Sequence, residues 1–220
     1  SSIEFKTEVQ NIVQVRIIPK KGLYVIEIVY KEQEPDLIQN ENYAGVDIGL
    51  SNLAAIGFNN AKPVIINGRP LKSINQYYNK KLANLKSKLI NEKKTSKRIK
   101  SLTNKRNNKV NDYLHKASRL ITNYLVSNNI NTLVIGKNKE WKQDVNIGKK
   151  NNQNFVQIPH SRLIDMISYK CKIEGIFVII TEESYTSKCS FLVDAGIKKQ
   201  KSYKGKRIKR GLFKSSKGIL

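Results

Sequence analysis

The chain has 220 residues and 39% of them are hydrophobic, which is enough to bury a core and argues against wholesale disorder. It carries 41 Lys and Arg against 17 Asp and Glu, for a formal net charge of +24. No stretch approaches the ~20 consecutive apolar residues of a membrane span. The two cysteines form no C-x-x-C, which disfavours a disulfide framework or a four-ligand zinc site and indicates a reducing, intracellular setting.

The first half of the chain reads mainly as strands. Residues 12–30, IVQVRIIPKKGLYVIEIVY, alternate apolar and polar on both sides of KKG, which predicts a β-hairpin with Gly22 in its turn. The polar segment 31–42 reads as a linker, so we expect a boundary near residue 40. Three strand-like runs follow, and the turn residues between them predict an antiparallel meander: AGVDIGL, NLAAIGF and KPVIING.

From about Ser73 the apolar residues recur at helical spacing, which predicts a long helical hairpin with its tip in NEKKTSKRIKS, residues 91–101. NTLVIG, residues 131–136, then reads as a short buried strand. Residues 161–175 read as an amphipathic helix that ends at Gly175.

IFVIITEES, residues 176–184, reads as a further buried strand, and after Ser190 the chain is basic and irregular. The order of strands and helices predicts an α/β fold in which helices cover a mixed sheet.

The surplus of positive charge favours a polyanionic partner, because such a surface repels itself unless phosphates neutralise it. Nucleic-acid binding is therefore the first interpretation. The alternatives are attachment to an anionic membrane and the Lys-rich codon bias of an AT-rich genome. Codon bias would also raise the Glu content, whereas acids are scarce in this chain.

Asp47 stands out because it interrupts an apolar run, YAGVDIGL, that predicts a buried strand. An isolated buried charge is costly, so we expect this carboxylate to be paired, protonated or bound to a metal. A structural aspartate bonded to a loop or a helix cap is the alternative.

Glu182 and Glu183 follow a strand directly, and open α/β sheets place ligands at strand ends. A solvated strand end is the more usual role of such a pair. Two acidic strand ends in a basic protein nevertheless suit Mg²⁺, or Mn²⁺, meeting a phosphodiester, because these ions take carboxylate oxygens. Lys188, a few residues further on, adds a donor suited to phosphates.

Two basic clusters are candidates for phosphate contact. The first lies between the helical segments, with a solvated helix face as its alternative, and consists of Lys93, Lys94, Lys97, Arg98, Lys100, Lys105, Arg106 and Lys109. The second lies near the end of the sequence, with a disordered tail as its alternative, and consists of Lys204, Lys206, Arg207, Lys209 and Arg210.

Five ordered blocks resemble the TnpB (OrfB) proteins of bacterial insertion sequences: GVDIGLSNLAAI, LVIGKNKEWKQ, NIGKKNNQNFVQIPHSRLI, TEESYTSK and GKRIKRGLFKSSKGIL. Those proteins are RNA-guided DNA nucleases related to the type V CRISPR effectors. The resemblance implies that residues 1–40 are a remnant of a β-barrel wedge domain. It further implies that residues 41–220 form a RuvC-like, RNase H-like nuclease domain without its C-terminal helix.

The family uses three acids with Mg²⁺, and the resemblance places the first at Asp47, in the G-[VI]-D-[LI]-G strand. The second normally follows a strand as I-E-D, but this chain has Gly136 there, in VIGKN. Some relatives carry the glutamate just before x-x-T-S-K instead, where Glu183 fits and Glu182 is its neighbour. The third acid is expected beyond Leu220. Only Cys189 remains of the family's zinc ribbon, so no zinc is expected.

The resemblance therefore implies a Mg²⁺-dependent (or Mn²⁺-dependent) RNA-guided DNA endonuclease, provided that the third acid is supplied. Guide RNA and target DNA would be its partners, and its place would be the cytoplasm of a bacterial host, at the nucleoid. The alternatives are a nuclease-dead protein that binds DNA through a guide, and a decayed insertion-sequence remnant.

Overall fold

The computed structural model describes residue 4 and residues 6–20, 23–90, 93–137, 157–186, 188–190, 196–209 and 212–218. Within these ranges the elements follow in this order: β1 (Ile12–Lys20), β2 (Leu23–Tyr30), β3 (Tyr43–Ile48), β4 (Asn52–Phe58), β5 (Val64–Asn67), α1 (Arg69–Lys86), α2 (Lys97–Ser127), β6 (Thr132–Gly136), α3 (His160–Ile173), β7 (Phe177–Thr181), β8 (Gly205–Lys209) and β9 (Leu212–Ser215).

A mixed five-stranded sheet with the order β5-β4-β3-β6-β7 forms the centre of the fold. β3, β4 and β5 pair antiparallel, which confirms the predicted meander. β6 and β7 run parallel to β3, because each is reached through a helical crossover. The carboxyl ends of β3, β6 and β7 consequently lie at one edge of the sheet. The predicted α/β class with a mixed sheet is confirmed.

Both helices of the predicted hairpin begin earlier in the chain than the sequence indicated, and a local signal marks each start. α1 starts at Arg69, before Ser73, with Pro70 in its first turn, where a missing N–H costs nothing. The Ser96 side chain caps α2 by accepting a hydrogen bond of 3.2 Å from the Ile99 amide. Residues 97–109 of the first basic cluster therefore lie on a helix and not between helices.

One face of the sheet packs against the helices. Alternation along β3 sends Val46 and Ile48 into the core, where each buried aliphatic side chain contributes about 1.5–3 kcal/mol. The helices supply the opposite wall of this core with Leu114, Ile121, Leu125, Leu163, Ile164 and Ile167. α3 ends at Ile173, and Gly175, predicted as the end of this helix, follows the C-cap residue with a φ of +72°, the left-handed conformation that glycine adopts readily.

The other face of the sheet is open, which corrects two predictions of buried strands. Asp47 projects from this open face and is exposed, because alternate residues of a strand point to opposite sides. β7 forms the edge of the described sheet and is exposed on both sides, with Phe177 and Ile179 (51% and 41% exposed) on the open face and Ile180 (50% exposed) on the opposite face. Apolar composition alone could not show how far the helices cover the sheet.

Two hairpins complete the described structure. β1 and β2 pair antiparallel with Lys20 opposite Leu23, as predicted, although Gly22 itself lies outside the described residues. The boundary near residue 40 remains a prediction. β8 and β9 also pair antiparallel, which corrects the expectation of an irregular basic tail. Lys and Arg stems can occupy an exposed strand, so the basic composition concealed it. None of the described helices is long and apolar enough to cross a membrane.

Candidate active site

A cleft of about 920 Å³ lies on the open face of the sheet, at the carboxyl ends of the parallel strands. Its lining combines small residues of β3, β4 and β6 with polar residues that follow β7 and one arginine of β8. The lining residues are Gly45, Val46, Asp47, Ala55, Gly57, Val134, Gly136, Thr181, Glu182, Glu183, Thr186, Ile197 and Arg207.

The residues around Asp47 on the open face of the sheet are small, and we call this surface of Gly45, Ala55 and Gly57 the glycine floor. Asp47 lies opposite Ala55 across the β3–β4 pair, and Gly45 lies opposite Gly57. A Cβ added to either glycine would meet no atom within 4 Å, so open space lies above both. The floor around the Asp47 carboxylate can therefore admit another molecule.

Buried His160 fixes the chain just after Asp47. Its Nε2 donates a hydrogen bond of 3.0 Å to the carbonyl oxygen of Gly49, two residues beyond the carboxylate. A side chain would not fit at Gly49, because an added Cβ would lie 2.7 Å from the backbone carbonyl oxygen of Asn52. α3 therefore holds the end of β3 at a defined position through one side chain.

Glu183 reaches the same site from β7, two residues after that strand ends. Partial burial and, second, the negative charge of Asp47 raise the pKa of the Glu183 carboxyl above its usual value. An influence of one carboxylate on the other requires that the two lie close together. The structure therefore brings Asp47 and Glu183 together from strands that are separated by β6.

Gly136, at the end of β6, makes this approach possible. A Cβ at Gly136 would overlap the Oε1, Cδ and Cγ atoms of Glu183. The glutamate thus crosses the end of β6 through the space that any larger residue would fill. Glycine at position 136 leaves the space that the Glu183 side chain fills, so the missing acid at Gly136 and the acid at Glu183 are explained together.

Glu182 also lines the cleft but is held differently. Its side chain is exposed, and its Oε1 accepts a hydrogen bond of 2.6 Å from the Ser184 hydroxyl. The side chain of Glu183, and not that of Glu182, lies over Gly136 at the end of β6. Across the part of the chain that the structure describes, no three His, Cys, Asp or Glu side chains form a metal-binding group.

A tight turn fixes the segment after Glu183. The amide and the hydroxyl of Thr186 donate to the Glu183 carbonyl oxygen at 3.2 and 2.9 Å. Tyr185 has a φ of +68°, a left-handed conformation that costs a non-glycine residue about 1–2 kcal/mol. The amides of Lys188 and Cys189 both bond the Tyr185 carbonyl oxygen, which helps to hold this strained residue in place.

The second basic cluster contributes directly to the cleft. Arg207, exposed on β8, is one of the lining residues and faces the same space as the two carboxylates. Lys206 and Lys188 are exposed, and the Lys188 amine lies 5.8 Å from the centre of the Tyr203 ring. For Lys209 the structure describes the backbone, and Arg210 lies outside the described residues.

The first basic cluster lies along α2 and the segment before it. Its members are exposed, as a surface that binds phosphate requires, with one exception. The exposed members are Lys93, Lys94, Lys97, Arg98, Lys100, Lys105 and Lys109.

Arg106 is the exception: it is half-buried and makes hydrogen bonds within the fold, and its contact with nucleic acid remains a prediction. Its Nε donates to the Asn75 side chain at 2.8 Å, and its two terminal nitrogens donate to the Asn107 side chain and the Gln157 carbonyl oxygen at 3.0 and 2.8 Å. Arg106 therefore ties α2 to α1 and to the residues before α3. Burial lowers the pKa of the Arg106 guanidinium.

Comparison with known proteins places this fold in a family. The OrfB_IS605 family model, described as a probable transposase, matches residues 27–142, and the chain belongs to this family. The resemblance drawn from the sequence blocks is thereby confirmed. A comparison with curated proteins gives no match.

Two solved structures share the fold. One, a cryo-EM structure of a Cas12f1–sgRNA–target DNA complex, is 16% identical with a TM-score of 0.52, over 79% of this chain and 43% of that chain. The other, of a CRISPR-Cas12f ternary complex, is 17% identical with a TM-score of 0.54, over 80% of this chain and 36% of that chain. This chain therefore spans less than half of either protein. The expected RuvC-type, RNase H-like fold is confirmed.

Proposed function

We propose that this chain is the nuclease part of a TnpB-like RNA-guided DNA endonuclease and that its cleft hydrolyses phosphodiesters. The convergence of Asp47 and Glu183 over Gly136 carries this proposal. Nothing in the packing of the core requires two carboxylates to meet on an open sheet face. Their mutual repulsion is a cost that a bound cation would turn into an attraction.

The donors in the cleft fit Mg²⁺ or Mn²⁺. Asp47 and Glu183 offer hard carboxylate oxygens, which are the ligands these ions prefer, and no thiol or imidazole competes for them among the lining residues. When bound, such an ion would activate water and stabilise the leaving oxygen of a phosphodiester. The roles of the protein are to hold the two carboxylates in place and to keep the floor open.

The substrate would approach along the glycine floor. Gly45 and Gly57 leave room for a sugar–phosphate backbone to lie close to the sheet. Arg207 faces the same space and would neutralise a phosphate oxygen, orienting the strand toward the carboxylates. The net charge of +24 would draw the polyanion in, so binding should weaken steeply with added salt.

The partners proposed are guide RNA and target DNA. One structure with the same fold is a complex with an sgRNA and target DNA, and the basic surface of this chain suits both polyanions. Base pairing with the guide would supply sequence specificity, while the protein contacts the backbone.

The test is cleavage of a guide-matched DNA by the complete protein bound to its guide RNA. We expect Asp47→Asn and Glu183→Gln each to reduce the cleavage rate by at least about 10³-fold without weakening DNA binding, because both remove a charge needed to hold the metal. Glu182→Gln, on the neighbouring residue, should retain most of the activity. Wild-type cleavage by both Asp47→Asn and Glu183→Gln would refute the catalytic assignment. Guided DNA binding without cleavage by the wild type would establish the nuclease-dead alternative.

A further inference from the structure

A second groove, of about 580 Å³, lies between α1 and α2 and shares no lining residue with the carboxylate cleft. Such a volume is in the range of pockets that hold a small organic group. The packing of the core does not account for an open groove at this position, and the proposed hydrolysis does not use it.

The inner walls of this α1–α2 groove are apolar and aromatic. Ile74 and Tyr77 of α1 face Leu102 of α2 across it. Tyr77 is 60% exposed, and its ring lies 5.8 Å from the Lys81 amine, so a ligand can reach the ring beside that cation. The neighbouring Tyr78 is fixed, because its hydroxyl lies 3.1 Å from that of Thr103 and its ring lies 5.7 Å from the Arg106 guanidinium. The groove therefore combines an exposed aromatic ring with a rigid wall.

The rim of the groove is cationic. Arg98, Lys105 and Lys109 of α2 line it, all three are exposed, and no acidic residue is among the lining residues. Their spacing places them about 10 and 6 Å apart along the helix axis. Within the part of the chain that the structure describes, none of the three forms an ion pair. They form a row of positive charges beside the aromatic pocket.

We propose that the α1–α2 groove binds an unpaired nucleotide of single-stranded nucleic acid, with the base against Tyr77 and the flanking phosphates on Arg98, Lys105 and Lys109. An unpaired base offers a free face that stacks on an aromatic ring, whereas a base inside a duplex has both faces covered by its neighbours. The row of cations without acids matches a phosphate backbone and would repel a basic segment. The inference extends the proposed nucleic-acid role of the protein but depends on neither carboxylate of the cleft.

Fluorescence anisotropy with labelled oligonucleotides and the full chain tests this directly. We expect Tyr77→Ala to weaken binding of single-stranded 15-mers at least about fivefold, the low end of what stacking of one base contributes. Binding of the same sequence as a duplex should change less than about twofold. Tyr77→Phe retains the ring and should bind like the wild type. Tyr169→Ala, which removes an exposed tyrosine on α3, is the matched control and should have no effect.

The proposal is overturned if Tyr77→Ala binds single strands as well as the wild type, or if single strands and duplexes lose affinity equally. RNA and DNA 15-mers are titrated in parallel, and the one that binds with higher affinity identifies the nucleic acid that the groove prefers. A Lys105→Gln, Lys109→Gln variant should also reduce the dependence of log K on log salt by about 1.4 for single strands, and an unchanged slope would refute the phosphate contacts. These affinities do not depend on cleavage, and the cleavage test does not involve Tyr77, so failure of the nuclease assignment and failure of this one are distinguishable.

Discussion

Glu183 occupies the space above Gly136, and this is the relationship on which the candidate site depends. β6 and β7 are parallel neighbours with Gly136 opposite Thr181, and Glu183 lies two residues beyond that pair. Its side chain folds back across the end of β6 toward Asp47 on β3. Because a Cβ on Gly136 would overlap that side chain, the glycine and the glutamate belong to one structural unit.

Gly136→Ala should therefore impair the site without altering a charge. The added methyl group would push the Glu183 carboxylate away from Asp47, so we expect metal-dependent cleavage to fall about as far as in Glu183→Gln. The overlap is with a side chain and not with backbone, so the free energy of unfolding should change by less than about 1 kcal/mol. Cleavage by the guided complex and urea denaturation measure the two effects.

The other glycines of the cleft are the controls for this prediction. A Cβ at Gly45 or Gly57 meets no atom within 4 Å, so alanine at either position should leave the metal site intact. The interpretation fails if Gly136→Ala retains Mn²⁺ binding and cleavage, or if Gly45→Ala loses Mn²⁺ binding equally.

The raised pKa of Glu183 predicts a specific pH dependence of stability. Burial and then the charge of Asp47 raise this pKa, so in the metal-free protein the folded state holds its proton more tightly than the unfolded chain, whose glutamates titrate near about 4.3. The free energy of unfolding should therefore decrease as the pH rises from about 4.3 through the folded-state pKa, and then level off. Glu183→Gln should lack this decrease.

Metal-free thermal unfolding of the wild type and Glu183→Gln, from pH 4 to pH 8, measures this difference. Asp47→Asn should lower the Glu183 pKa only in part, because burial is the larger cause. A wild-type profile parallel to that of Glu183→Gln would show that the Glu183 carboxyl titrates normally.

Arg106 should matter for the stability of the fold. Alanine at this position would leave the Asn75 oxygen and the Gln157 carbonyl without the charged donors that they now have. Hydrogen bonds to charged groups contribute about 1.5–3 kcal/mol each, and less where water competes, as it does at this half-buried side chain. We therefore expect Arg106→Ala to reduce the free energy of unfolding by about 2–4 kcal/mol. Lys105→Ala, one residue away and exposed, should cost less than about 0.5 kcal/mol. Urea denaturation compares them, and equal losses would contradict the assigned role.

His160 should act on the cleft through the position of β3. His160→Phe would remove the donor to the Gly49 carbonyl oxygen and leave that group unsatisfied beside the core, at a cost of about 1–3 kcal/mol. We expect Mn²⁺ affinity to fall although Asp47 and Glu183 are both present. His160→Gln, which can still donate a hydrogen bond, should recover part of that affinity. Titration calorimetry measures the Mn²⁺ affinity of each variant, and unchanged Mn²⁺ binding in His160→Phe would exclude the positioning role.

The elements were predictable where one local pattern determines them. The meander β3–β5, the strand β6 and the end of α3 just before Gly175 follow from alternation, apolar runs and a glycine cap. The exposure of β7 did not follow, because an apolar run has the same composition whether one or both faces are covered. β8 and β9 were missed because their basic side chains resemble those of a disordered tail.

The candidate site was predictable as a set of residues but not as a geometry. The sequence indicated Asp47, the glutamate pair and the departure at Gly136, yet the reason for that departure is a contact between neighbouring strands. The structural role of Arg106 likewise depends on Asn75 and Gln157, which are 31 and 51 residues away in the sequence. Long-range contacts of this kind leave no local signal.

Titration of the metal-free chain with Mn²⁺ by calorimetry tests the central claim most directly, because the claim is that Asp47 and Glu183 jointly hold a divalent cation. We predict specific binding by the wild type, loss of that binding in Asp47→Asn and in Glu183→Gln, and retention in Glu182→Gln. Wild-type binding that is unchanged in both Asp47→Asn and Glu183→Gln would contradict the account.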